Sequence, residues 1–135
     1  TTAAVTLTSD LLSDNMSVTT STTCVKAGTT ADELDGMEMG YLEVATGTEY
    51  DILDATVLGL DKANKVYICN ESTDETYYVV VEIKTTVLGR LYAGDWMFIP
   101  WGAEHADSDI TVRSYTGTNK IGYALFHEGK TLTAS

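Results

Sequence analysis

The chain has 135 residues, 44% of them hydrophobic and 21% charged, which suits one globular domain with its own core and excludes a disordered polymer. Twenty acidic residues against eight basic ones leave a formal net charge of −12, a field that repels phosphate backbones and anionic membranes, so neither nucleic acid nor membrane is expected as a partner. No run of about 18 apolar residues occurs, and the N-terminus has neither a basic region nor an apolar core of a signal peptide, so a soluble chain without a visible address is expected.

Thr, Val and Tyr are abundant, and short apolar runs are separated by Gly, Asn and Asp clusters. That pattern predicts an all-β fold, an antiparallel β-sandwich of jelly-roll-like form, as one domain with an extended N-terminal segment. Residues 1–30 are the segment: small β-branched residues and Ser, with too few large side chains for a core of their own. They must lie against something else, either as an edge strand of the same domain or as an arm that pairs with a neighbouring subunit. Val5, Leu7, Leu11 and Leu12 are the apolar points of that contact. Residues 31–135 are read as the β-sandwich. Its only helical candidate runs from Thr30 to Met39, where Asp32 and Glu33 suit a first turn while Gly36 and Gly40 restrict the length to a turn or two.

The next run, Lys65 to Cys69, is followed by the polar stretch Asn70–Thr76 and then by Tyr77–Lys84, whose odd positions are uniformly apolar. This reads as a hairpin with a longer loop, its second strand covered on one face. Ile110 and Val112, then Ile121, Tyr123 and Leu125, repeat the alternation, and Gly117–Lys120 between them reads as a tight connection joining antiparallel neighbours. In between lies "GDWMFIPWGAEHADSD", residues 94–109. Gly94–Asp95 makes a turn, Met97 to Trp101 a strand, Pro100 sits near the strand end because it has no N–H to give, and Gly102 lets the chain reverse. Trp96 and Phe98 fall on one face of this strand and Met97, Ile99 and Trp101 on the other, so it is expected to be buried between layers or between subunits. The strip Trp96, Phe98 and Trp101 with Tyr92 also has the ring composition of a sugar-stacking platform.

The spacing from Gly94 through Pro100, Gly102 and His105 to Asp109 resembles the second motif of the cupin superfamily, G-x5-P-x-G-x2-H-x3-N, with Asp109 in place of the usual Asn. The family's first motif, which supplies two His and a carboxylate, is missing; the only histidines are His105 and His127. An imidazole-held metal needs three or more convergent donors, so the metal chemistry does not carry over and only the structural corner remains. Glu104, Asp107 and Asp109 have oxygens suited to calcium, with Asp107 and Asp109 on one side of an extended segment, but lack the order of a calcium loop and read as a solvated acidic loop. No nucleophile elbow, P-loop or dinucleotide fingerprint occurs. No catalytic residue, cofactor or metal is therefore expected, and the chain is read as a non-enzyme. Cys24 and Cys69 are read as two reduced, partly buried thiols rather than a disulfide, and the sequons at Asn15 and Asn70 as chance.

A second resemblance spans more of the chain. The stretches "LTSDLLSDNMSV", "TTCVKAGTTADEL", "YDILDA", "NKVYICNESTDETYYVVVEI", "GRLYAGDWMFIPW", "DITVRSYT" and "GYALFHEG" follow in the order seen in small virion structural proteins of tailed, particularly marine, bacteriophages. The carriers are Val66-Tyr67 with Asn70 and Ser72, the corner from Leu91 through Gly94-Asp95 to Pro100-Trp101, and the terminal Phe126-His127-Glu128. The resemblance implies a virion component, assembled in the host cytoplasm, and the net charge of −12 places it on the outer surface of the particle rather than in its DNA-filled interior. A capsid decoration or cement protein fits best, bound to the major capsid protein or other virion subunits and forming a homo-oligomer. A tail- or fibre-associated subunit and a carbohydrate-binding module are the alternatives, a glycan being the ligand of the latter. Val5, Leu7, Leu11, Leu12, Trp96 and Trp101 are the expected interface residues.

Overall fold

The computed structural model describes residues 2–9, 16–23, 34–58, 62–103 and 106–131. Its strands are β1 (Thr2–Ser9), β2 (Met16–Thr23), β3 (Leu34–Val44), β4 (Glu49–Leu53), β5 (Lys62–Asn70), β6 (Tyr78–Ile83), β7 (Thr86–Tyr92), β8 (Trp96–Gly102), β9 (Ile110–Thr116) and β10 (Asn119–Thr131). One short helix, α1 (Ala55–Leu58), follows β4, and a single 3-10 turn covers Ala106–Ser108. The strands form two antiparallel four-stranded sheets, in the orders β3-β10-β5-β8 and β4-β9-β6-β7, and a separate two-stranded sheet of β1 and β2. The fold is an all-β sandwich.

Alternation within each strand builds the core. Val66 and Ile68 of β5, Ile121 and Leu125 of β10, Val79 and Val81 of β6, and Ile110 and Val112 of β9 are all wholly buried and meet between the sheets. Leu53, Val44, Leu91 and Trp101 close that core at its margins. The strand order is that of a jelly roll: the chain steps from one sheet to the other at almost every connection, and within the sandwich only β6 and β7 are both sequential and paired. Their turn passes through Lys84, held at φ 59°.

Three expectations are corrected here. Residues 34–39 belong to the long strand β3 rather than to a helix, because pairing with β10 over its whole length outweighs the weak helical signal of a segment broken by Gly36 and Gly40. β5 and β6 are not a hairpin, nor are β9 and β10 neighbours; each pair is split between the two sheets. The cause is visible at the connections. Asn70 and Asn119, which read as loop residues, are wholly buried and turned into the sandwich. Asn70 Nδ2 donates to Leu91 O on β7 and to Asn119 Oδ1, both at 2.9 Å. Asn119 Nδ2 donates to Ser114 Oγ and Thr116 O at 2.9 Å and to Tyr78 O at 3.2 Å. These amides satisfy backbone groups of the opposite sheet at the points where the chain crosses, which a flat hairpin turn would leave to water. A burial this complete also removes Asn70 as a glycan acceptor.

The N-terminal strands pair with each other from Thr2↔Thr23 to Ser9↔Met16 and lie on neither four-stranded sheet. Val5 is half-buried between the exposed Ala4 and Thr6, and Leu7 stands opposite Val18 in the register. Leu11, Leu12 and Cys24 lie outside the described residues, as do Glu104 and His105.

Candidate functional site

The two tryptophans of the Pro corner have different fates. β8 is the edge strand of its sheet, which is why Pro100 is tolerated there opposite Lys65. Trp101 points inward, is 3% exposed, and donates from Nε1 to Ser108 O at 2.7 Å, so it belongs to the core and offers nothing to a partner. Trp96 points outward and keeps 47% of its surface exposed. Among the described residues, the strand apolar on both faces thus has only its inner face packed into the core, while Trp96 stays exposed on the other.

The outward face is not isolated. The register across β3-β10-β5-β8 sets Met39, Ala124, Tyr67 and Phe98 in one row and Tyr41, Gly122, Cys69 and Trp96 in the next. Phe126 adds a third row beside Lys65 and Pro100. Ala124 and Phe126 are nearly buried beneath Tyr67 and Phe98, which form a second, smaller apolar cluster on the outside of the sheet. The rings of Tyr67 and Trp96 lie 6.3 Å apart and those of Phe98 and Phe126 6.4 Å apart, both tilted, as aromatic pairs prefer. Met39 and Tyr41 remain more than 60% exposed at the other edge. Gly122 keeps the floor flat, since a Cβ there would meet Glu71 Oε1 at 3.0 Å and the Tyr41 ring at 3.2 Å. The result is a surface of rings and thioether on the outside of one sheet, with Met39, Tyr41 and Trp96 exposed around the half-buried Tyr67 and Phe98.

Lys120 Nζ stands 5.9 Å from the centre of the Tyr41 ring. The Tyr67 phenol is pushed up to about 12, first by its hydrogen bond with the Cys69 side chain, then by burial, then by the charges that Cys69, Glu71 and Tyr41 carry when ionised. The face therefore presents Tyr67 as a neutral hydroxyl at any ordinary pH. Cys69 is a free thiol.

The remaining candidates resolve into structural roles. Asp107 lies in the 3-10 turn, not in an extended segment, and pairs with Lys84 at 2.7 Å across exposed surface. Asp109 Oδ1 accepts from Ala55 N at 2.7 Å at the start of α1, so the two carboxylates have separate partners. Asp54 caps the same helix by accepting from Thr56 N and Val57 N. His127 Nδ1 lies 2.9 Å from Asn64 Oδ1. Among the described residues no three His, Cys, Asp or Glu side chains converge on a metal position. No helix among them is long and apolar enough to cross a membrane. The other sheet carries its own ring cluster outside, with Tyr78 5.2 Å from Tyr92 and 6.0 Å from Tyr115, and Arg90 5.1 Å over Tyr78.

Tyr41, Met39, Tyr67 and Phe126 were not among the expected contact residues. Their signal was present as alternation: Met39 and Tyr41 are spaced by two, and Tyr67 lies between the inward Val66 and Ile68. Sequence shows that such a strand has two apolar faces, but not that four of them lie side by side. No protein family model and no curated protein sequence matches the chain.

Proposed function

We propose that this chain is a structural subunit of a bacteriophage virion, a capsid decoration or cement protein that acts by binding and not by catalysis. The observation that carries the reading is the uncovered ring surface of the β3-β10-β5-β8 sheet, with Met39, Tyr41 and Trp96 exposed around the half-buried Tyr67 and Phe98. An apolar face of this breadth is costly in water, and a subunit held in a particle covers it. The jelly roll is a fold that capsid domains use, and the order of motifs from Leu7 to Gly129 resembles small phage virion proteins. The net charge of −12 suits the outer surface of a particle rather than its DNA-filled interior. Its partners are then the major capsid protein or other virion subunits, and contacts that are modest singly gain force by repetition over many copies. The same geometry serves a tail- or fibre-associated subunit.

The test is reconstitution. Purified chain added to particles assembled without it is expected to co-sediment at a fixed ratio to the major capsid protein and to raise the temperature at which the particles release DNA. Failure to co-sediment with capsids or tails would overturn the reading. One observation favours a second reading, a carbohydrate-binding module: Trp96 is exposed and tilted against Tyr67, and flat rings suit the apolar faces of sugars. That reading requires tryptophan emission to shift on addition of a glycan, and the same protein sample decides it.

A further inference from the structure

We infer that the occupant of the outer β3-β10-β5-β8 face is the same face of a second copy, packed about a two-fold axis; this rests on the reading of that face as an assembly surface and adds the identity of the neighbour. The first support is charge. A chain of net charge −12 repels its own copies, so two of them can press together only where the surface is locally neutral. Among the residues whose side chains are described, the outer face of this sheet carries Glu43 and Glu71 against Lys65 and Lys120, with rings, Met39, Gly122, Ala124 and Pro100 between them. The outer face of the other sheet carries Glu49, Asp51 and Glu82 against Arg90 and Arg113, and Arg113 is already paired with Glu49. The ring face of β3-β10-β5-β8 is therefore the one that meets itself without net repulsion.

The arrangement of those charges is also self-complementary. Lys65 lies toward one end of the strands, while Glu43, Glu71 and Lys120 lie together toward the other, an end left with one net negative charge. A two-fold axis running across the strands sets the lysine end of one copy over the glutamate end of its partner, with ring row against ring row. Such an interface is isologous and closes on itself, giving a dimer and not a filament.

Area sets the strength. Four strands spaced about 4.8 Å apart, each contributing about six residues at about 3.3 Å, make a face of about 400 Å² per copy before the relief of the rings is added. The pair buries on the order of 1,000 Å², the lower edge of specific interfaces, so a dimer dissociating in about the micromolar range is expected. The outer side of the opposite sheet lies away from this contact and can touch other subunits of a particle.

Sedimentation equilibrium of the full chain, run across about two decades of concentration around the micromolar range, tests this. A monomer–dimer equilibrium is expected, with a blue shift of tryptophan emission as Trp96 is covered. Met39→Glu and Trp96→Glu, both at exposed positions, should each weaken the dimer at least about tenfold while circular dichroism shows the fold retained. Tyr115→Glu, on the outside of the other sheet, should leave it unchanged. A monomer at every concentration overturns the inference, and so does a Tyr115→Glu effect equal to that of the face variants. Particle binding by the same variants separates the two claims: a monomeric chain that still loads onto particles leaves the virion reading standing and removes this one. A dimer that Trp96→Glu dissolves but that never joins a particle does the reverse.

Discussion

Removing the amide of Asn119 should cost more than any surface change in this protein. Its side chain is wholly buried, accepts from Asn70 Nδ2 at 2.9 Å, and donates to Ser114 Oγ, Thr116 O and Tyr78 O. Asn119→Ala deletes these bonds and leaves carbonyls of β6 and β9 and the amide of Asn70 short of a partner. At about 1 kcal/mol net for each well-formed bond, with a further penalty for buried groups left unmade, the loss is about 3 kcal/mol. In a chain of this size that lowers the melting temperature by about 10 °C. Asn119→Asp keeps the shape but turns an acceptor toward Tyr78 O and Thr116 O, and should be worse than alanine. The assay is urea unfolding followed by circular dichroism, with Asn70→Ala and the double variant completing a cycle. A coupling of about 1 kcal/mol or more is expected because the two amides share a bond. A loss below about 1 kcal/mol, or strict additivity, would refute the view that these amides lock the crossovers between the sheets.

Two glycines separate backbone strain from steric conflict. Gly47 and Gly117 both have positive φ, but a Cβ at Gly47 meets open space while one at Gly117 would meet the Tyr77 ring at 2.1 Å. Gly47→Ala should cost about 1 kcal/mol and Gly117→Ala at least about 2 kcal/mol more, in the same urea titration; equal costs would show that the Tyr77 ring yields freely. In an ultraviolet titration of the tyrosinates, Tyr67 should ionise near pH 12, and the difference between the full chain and Tyr67→Phe isolates it. Cys69→Ala removes the largest cause of that shift and should bring the transition down toward about 10, the ordinary tyrosine value. Because the folded pKa is raised, the stability linked to Tyr67 is intact below about pH 10 and is lost as the pH climbs through 12. Asp54 and Asp74 are held below the usual carboxylate range first by the hydroxyls of Thr56 and Thr76, so their contribution is present above about pH 4 and falls away under more acid conditions. Thr56→Val and Thr76→Val should flatten that acid limb in unfolding curves recorded at successive pH values, and an unchanged limb would rule the turns out as its source.

Strand content was legible because alternation is written locally. Tyr77–Ile83, Ile110–Val112 and Ile121–Leu125 show their inward positions as a period of two, and of these Val79, Val81, Ile110, Val112, Ile121 and Leu125 are wholly buried while Ile83 and Tyr123 pack half-buried against them. The turn at Gly94 also follows from single-residue chemistry, a positive φ, while the edge position of β8 that accommodates Pro100 came only from the pairing. Pairing did not follow. "NESTDET" and "TGTN" have the composition of hairpin turns, and nothing in them reveals that Asn70 and Asn119 turn inward to bind the opposite sheet. The short-range reading supplied the commonest connection, and long-range hydrogen bonds decided otherwise.

The candidate site divides along the same line. The sequence by itself determined that β8 carries large apolar residues on both sides, that the chain is strongly acidic, and that it lacks the first cupin motif. Only the tertiary structure decided that Trp101 is core while Trp96 is surface, because inward and outward exist only once a second sheet covers one side. It alone decided that Met39 and Tyr41, distant in the chain from Tyr67, Trp96 and Phe126, share a face with them. A strand's alternation is fixed by its own backbone, but which strands lie beside it is fixed by a competition among all possible partners, and that competition is settled by burial summed over the whole sandwich.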